Sequence, residues 1–323
     1  MGYGGYSYEA HMALTRERSD APIQEVFKQR SCHPLMDPKG VRVRESRDSA
    51  EHPQSLGIVF ALDVTGSMGH IPDLLARQEL PSLMKILTSA GVRDPQVLFM
   101  AVGDARADKA PLQVGQFETT AELMDQWLTF SFLEGGGGDI PESYELALYF
   151  LAEHTDMDCW VKRKKRGYLF MTGDAPPFPA VSKHQVDGII GDRLDDDIPT
   201  EHVVAAVAET FHPFFFLPGA NHREGERRWR DLMGDHLICL EDPHDTCYAA
   251  ASLVALTEGL AKSVDDVARF VETAGADRGR VAAVVRAITP YASLVGRDGA
   301  PEPALGPAVV SSGASGWRRL DEA

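Results

Sequence analysis

SLGIVFALDVTGSMG, residues 55–69, decides the fold. Its first half is an unbroken apolar run that stops at Asp63. A strand with one wet face would alternate, so this one is buried on both faces, as in a parallel sheet. A helical stretch follows from about 71 to 90, with Leu75, Leu80, Leu83, Met84 and Leu87 on its repeating apolar face. Between the two sits a short turn, Asp63-Val64-Thr65-Gly66-Ser67, which carries a carboxylate and two hydroxyls at alternate positions.

The alternation continues outward from there. QVLFMAVGD (96–104) reads as a second strand, and LQVGQFE (112–118) as a third that follows too closely for a helical crossover. That pair is therefore expected to form a hairpin, with the third strand antiparallel at the sheet edge. Helices are expected at 120–130 and 141–153, on either side of the glycine run at 135–138. GYLFMTGD (167–174), HPFFFLPG (212–219) and HLICLED (236–242) supply further buried strands, and 175–199 is a long Pro- and Asp-containing excursion. The pattern predicts an α/β fold: a doubly wound, mostly parallel sheet with one antiparallel edge strand and helices on both faces.

The rest of the chain divides around this unit. Residues 1–54 read as an N-terminal arm, partly irregular, with a short helix near 21–29. Residues 55–261 form the α/β domain, and 262–295 a helical extension whose last helix ends at Pro290. Residues 296–323, rich in Gly, Ala, Pro and Ser, read as a flexible tail.

Composition narrows the function. Lys and Arg number 32 against 48 Asp and Glu, a net charge of −16, which repels nucleic acid phosphates. The basic run at 162–166 leads into an apolar strand and reads as its solvated approach. Four scattered cysteines form no C-x-x-C pair; Cys239, His244 and Cys247 are close in sequence but too few for a structural zinc site, and inert buried thiols are expected. No apolar leader opens the chain and no stretch approaches ~20 apolar residues, so a cytoplasmic protein without a membrane span is expected.

Three strand ends gather oxygen donors where doubly wound sheets place their sites. They are Asp63–Ser67, the glycine run closed by Asp139, and Thr172-Gly173-Asp174. Hydroxyls and carboxylates without Cys or His suit a hard cation such as Mg²⁺, with Mn²⁺ or Ca²⁺ as variants. Asp104 ends a strand too, but in a hairpin it reads as a turn former, and the acidic run at 195–197 reads as a solvated face.

DVTGS resembles the D-x-S/T-x-S motif of the metal-ion-dependent adhesion site in von Willebrand factor A domains. The glycine-rich loop and GDAPP resemble the other two parts of that site, in order. The resemblance covers roughly residues 55–260 and is greatest with bacterial, intracellular members. It implies that Thr65 and Ser67 touch the metal, with Asp63 and Asp174 acting directly or through water. Asp139 stands where many members have Thr. It is either a further ligand or the N-cap of the next helix, with Glu142 completing a capping box, and both can hold. His70, Gly137 and Phe178 are candidates for the rim around the ion; Phe178, between prolines, is either held exposed or packed under its loop.

The implied function is a metal-dependent interaction module. A partner protein's Asp or Glu would complete the coordination sphere, and in bacteria the family implies a MoxR-type AAA ATPase or a co-encoded protein as partner. Enzyme motifs mostly fail. Thr65 replaces the first glycine of a nucleophile elbow, the glycine run lacks the Lys-Ser/Thr of a P-loop, and Thr65 replaces the second carboxylate of the aspartyl phosphatases. The alternative function is a metal-assisted hydrolase using the same site.

Overall fold

The structure, a computed structural model, describes residues 4–68, 70–136, 141–219, 223–295, 303–311 and 317. Its strands in chain order are β1 (Arg44–Ser46), β2 (Leu56–Asp63), β3 (Pro95–Val102), β4 (Leu112–Val114), β5 (Thr155–Met157), β6 (Gly167–Thr172), β7 (Ala180–Val181), β8 (Ile198–Pro199), β9 (Phe211–Pro218) and β10 (Leu237–Leu240). Six of them form the central sheet in the order β10-β9-β6-β2-β3-β4. All its neighbours pair parallel except β3 and β4, which pair antiparallel at the edge. This is the doubly wound order, and it reverses direction between β2 and β6.

Every residue of β2, β3 and β6 is buried, which is why their sequences run apolar without alternation. Phe60, Phe170, Phe214 and Phe216 meet across neighbouring strands at ring separations of 5.4 to 5.5 Å. Helices cover both faces, and their ends are set by local chemistry. The Thr120 side chain caps Ala121–Thr129 by accepting from the Leu123 N–H, and Gly91 closes Leu80–Ala90 with φ of 93°. The expected helix after β2 is one run of three pieces, His70–Leu74, a π-turn at Leu75–Glu79, and Leu80–Ala90. Pro81, which has no N–H to donate, lies two residues after the π-turn.

Several expectations change. The helix at Arg278–Val295 runs through Pro290 instead of ending there. Beyond the proline, Tyr291 and Ala292 are buried, and the Tyr291 hydroxyl meets Thr257 Oγ1 at 2.9 Å, so tertiary packing outweighs the missing backbone bond. The tail is not loose throughout: Pro307–Ser311 is helical, Val309 is buried, and the Gly306 N–H donates to Leu232 O at 3.0 Å. Cys239 is exposed on β10, contrary to the expected buried thiol, while Cys159 and Cys247 are buried. The basic run is paired as well as wet, since Arg163 reaches Asp48 and Ser55 O at 2.6 Å each and Lys162 reaches Asp158 at 2.6 Å.

The arm is more ordered than its sequence suggests. It holds helices at Tyr8–Glu17 and Ile23–Val26, and β1 pairs parallel with β5. It also closes the outer side of β4. The Val114 N–H donates to Met36 O at 2.8 Å and Arg44 donates to Val114 O at 3.0 Å, so that edge has no row of unpaired groups. Val26 and Phe27 of the arm, Val267 and Ile288 of the extension, and Val309 of the tail share one hydrophobic core with the sheet. Among the described residues no helix is long and apolar enough to cross a membrane.

Candidate functional site

The reversal between β2 and β6 leaves a crevice beyond their carboxyl ends, the usual ligand position in an open α/β sheet. Asp63 is the last residue of β2 and is fully buried. The turn after it folds back on that carboxylate. Thr65 donates to Asp63 Oδ1 twice, from its N–H at 2.8 Å and from its Oγ1 at 2.5 Å. The Tyr144 hydroxyl, from the first turn of the helix Tyr144–Glu153, donates to Asp63 Oδ2. Ser67 is exposed at the end of the same turn.

The neighbouring loops are tied to this turn. The Gly66 N–H donates to Gly136 O at 2.8 Å, joining the first loop to the glycine run. Asp104 is the turn residue expected of it, since its Oδ1 accepts from the Arg106 N–H at 2.9 Å and its own N–H donates to Asp108 Oδ2 at 2.8 Å. Ser143 connects that turn to the helix behind the site, with its N–H on Gly103 O at 3.1 Å and its Oγ accepting from the Ala105 N–H at 2.9 Å. On the β6 side, Gly173 lies so close to Tyr144 that any Cβ there would overlap its hydroxyl. The loop beyond is anchored by Trp229, whose indole N–H donates to Ala175 O at 2.8 Å.

The electrostatics of this rim are one-sided. Burial raises the Asp63 carboxyl to about 6, against the opposing pull of its Thr65 and Tyr144 hydrogen bonds, and Asp174 adds to the rise. Burial raises Glu142 to about 8, with the charges of Asp63, Asp104, Asp108 and Asp174 pushing the same way. Glu142 is 7% exposed, and its buried Oε2 has no hydrogen-bond partner among the described residues. Such an atom forfeits its hydration unless something outside the protein restores it. Glu145, one turn further on, is fully buried, which pushes its carboxyl well above the usual range; its Oε2 accepts from the Phe178 N–H at 3.2 Å.

Asp63 and Thr65 are thus joined directly, and Asp174, half-buried, acts electrostatically on Asp63, Tyr144 and Glu142. Asp139 and Gly137 lie outside the described residues. The next helix begins at Tyr144 with Ser143 as its N-cap residue, so the expected capping box at 139 and 142 does not start it. His70 is exposed at the start of its helix. Phe178 takes the packed alternative and is no rim residue: it is 5% exposed, with the Arg106 guanidinium 4.0 Å over its ring. Sequence reasoning missed Tyr144 and underrated Glu142. Glu142 directly follows Pro141, inside the stretch expected to be helical, which makes it read as part of a capping box.

Among the described residues no three His, Cys, Asp or Glu side chains are arranged to hold a metal by themselves. Any cation here needs hydroxyl and water oxygens as well, which is the donor set of a hard ion.

No protein-family model matches the chain, and no curated protein matches it in sequence. Among solved structures, proximal thread matrix protein 1 from the mussel byssus is 12% identical over 66% of this chain and 49% of its own, with a TM-score of 0.39. The pilus adhesin SpaC from Lactobacillus rhamnosus GG, in an open conformation, is 11% identical over 70% of this chain and 31% of its own, at 0.42. A form of the mussel protein with a zinc-occupied MIDAS motif is 10% identical over 69% and 51%, at 0.39. The chain spans about half the length of the mussel protein and about a third of the adhesin. The fold itself rests on the sheet order described above.

Proposed function

We propose that this chain is a divalent-cation-dependent protein-interaction module of the von Willebrand factor A type. The cation sits at the switch point between β2 and β6. Thr65 and Ser67 hold it with their hydroxyls, Asp63 and Asp174 with carboxylates directly or through water, and Glu142 joins them. The observation that carries this reading is the buried, unpartnered Glu142 Oε2, in a rim whose neighbours Asp63, Asp104, Asp108 and Asp174 all carry the same sign. A +2 ion relieves both the missing partner and the mutual repulsion.

The oxygen-only donors fit Mg²⁺, Mn²⁺ or Ca²⁺ better than a soft metal. Bound there, the ion supplies a coordination position that an incoming carboxylate can fill. The residues of this chain then orient and shield: Tyr144 fixes Asp63 from beneath, and Gly66 with Gly136 keeps the two loops in register. The partner presents an Asp or Glu, and the resemblance in DVTGS points to a MoxR-type AAA ATPase or a co-encoded protein.

Melting curves across a Mg²⁺ titration test the proposal. Wild type should rise by roughly 2.7 kcal/mol of stability at a hundredfold excess over Kd, and Asp63→Ala should not. Equal, flat titrations of both proteins would end it. The proposal is of binding without turnover. Mg²⁺-dependent release of product from p-nitrophenyl phosphate or acetate, lost in Asp63→Ala, would replace it with a metal-assisted hydrolase.

A further inference from the structure

Against the Thr65 turn lies a groove of about 220 Å³. Its walls come from the arm (Ile23, Phe27, Arg30), from the turn itself (Val64, Thr65) and from Leu133 ahead of the glycine run. Phe27 and Val64 are buried there, Arg30 is exposed, and among the described residues no carboxylate lines the groove. Arg30 forms no ion pair among the described residues. A small-molecule pocket is usually ~300 Å³ or more; this groove is the size of one large side chain. It shares Thr65 with the candidate cation position, so whatever fills it lies beside a ligand of the ion.

We infer that the groove is the specificity pocket of the interaction site, taking a bulky apolar side chain next to the partner's acidic residue, while Arg30 pairs with that acid. This deepens the function proposed above and rests on it. The charge balance supplies the argument. A carboxylate that reaches the ion across the rim passes Asp63, Asp104, Asp108 and Asp174, which repel it. On the groove side, among the described residues, it meets one cation, the neutral polar Gln24, Gln29 and Thr65, and apolar walls. A partner segment with an acid and a neighbouring apolar anchor is therefore steered to this side of the turn, and the anchor supplies the buried contact on which affinity of such interfaces depends. The arm, outside the sheet in sequence, would decide what the site accepts.

The test is to pan a displayed library of random linear peptides on the full chain in saturating Mg²⁺. Selected peptides should pair Asp or Glu with Leu, Ile, Met or Phe within two positions. Binding is then measured by fluorescence anisotropy with a labelled selected peptide. Gln24→Trp, an exposed position on the groove wall, fills it, and Arg30→Glu reverses its charge; each should weaken binding by about tenfold or more. Both variants should keep the wild-type Mg²⁺ melting shift, which shows that they fold and still bind the ion. Peptides that need an acid and Mg²⁺ but ignore both variants and the apolar neighbour would overturn the groove and leave the metal reading standing. Peptides that bind equally in EDTA, or a library that yields none, would overturn the inference; an absent Mg²⁺ melting shift in wild type would remove the metal reading as well.

Discussion

Two buried acids in this molecule are treated in opposite ways. Asp192, on the back of the helix Tyr144–Glu153, receives the Tyr149 hydroxyl and His154 Nε2, each at 2.7 Å from its Oδ2. His154 is in turn fixed by Arg42 O at 3.1 Å from its Nδ1. Glu142, at the other end of the same helix, has an oxygen with no partner and several acids around it. The fold is thus able to satisfy a buried carboxylate with donors from its own chain, and at the rim it adds more carboxylates instead. Where the purpose is architecture, donors are supplied. At Glu142 Oε2 one is withheld, and the deficit is one that a cation meets.

Breaking each side separately sharpens that contrast. The largest effect is expected from Asp192→Ala, which removes the buried acceptor shared by His154 and Tyr149. It should lose about 3 kcal/mol in denaturant melts, equally with Mg²⁺ and with EDTA. A loss confined to one condition would mean that this cluster belongs to the metal's response. Asp63→Ala strips the acceptor from Thr65 and the buried Tyr144 hydroxyl and should lose stability in EDTA too. Unlike Asp192→Ala, it should also lack the gain of roughly 2.7 kcal/mol that saturating Mg²⁺ gives wild type.

Glu142→Gln tests the rim by pH. Glu142 is raised to about 8, against roughly 4.3 for the unfolded chain. Below the lower value both states are protonated. As pH rises through that window, the unfolded chain ionises first and apo stability falls, levelling off above about 8. Asp63, raised to about 6, works in the same direction. Melts in EDTA should therefore decline with pH in wild type and less steeply in Glu142→Gln; identical slopes would show that Glu142 is not strained in the apo protein. The smallest effect is expected at Arg106→Ala, which removes the cation over Phe178 and should cost about 0.5–1 kcal/mol.

The same contrast explains what was legible in the sequence. β2, β3 and β6 announced themselves because residues buried on both faces leave an apolar run that no surface element imitates. The Asp63–Ser67 turn was legible because its donors are adjacent in the chain. Tyr144 was not, because it meets Asp63 across 81 residues and sits on a helix whose apolar neighbours make it read as core. Phe178 could not be placed from its flanking prolines, since Arg106, which covers it, lies far away in sequence. Pro290 misled for a related reason: local propensity favours a stop, while the buried Tyr291 beyond it favours continuation. The arm's role was hidden because its anchors are scattered: Val26 and Phe27 in the core, the short β1–β5 pairing, and bonds such as Val114 N–H to Met36 O.

That last feature bears on how the protein can be cut. Trimming the chain to a tidy unit beginning at residue 55 would strip the Met36 and Arg44 contacts from β4 and leave a bare strand open to self-association. The same cut removes Phe27 and Arg30. A fragment made to simplify binding experiments would therefore be both stickier and less selective than its parent, and its promiscuity would be an artefact of the scissors.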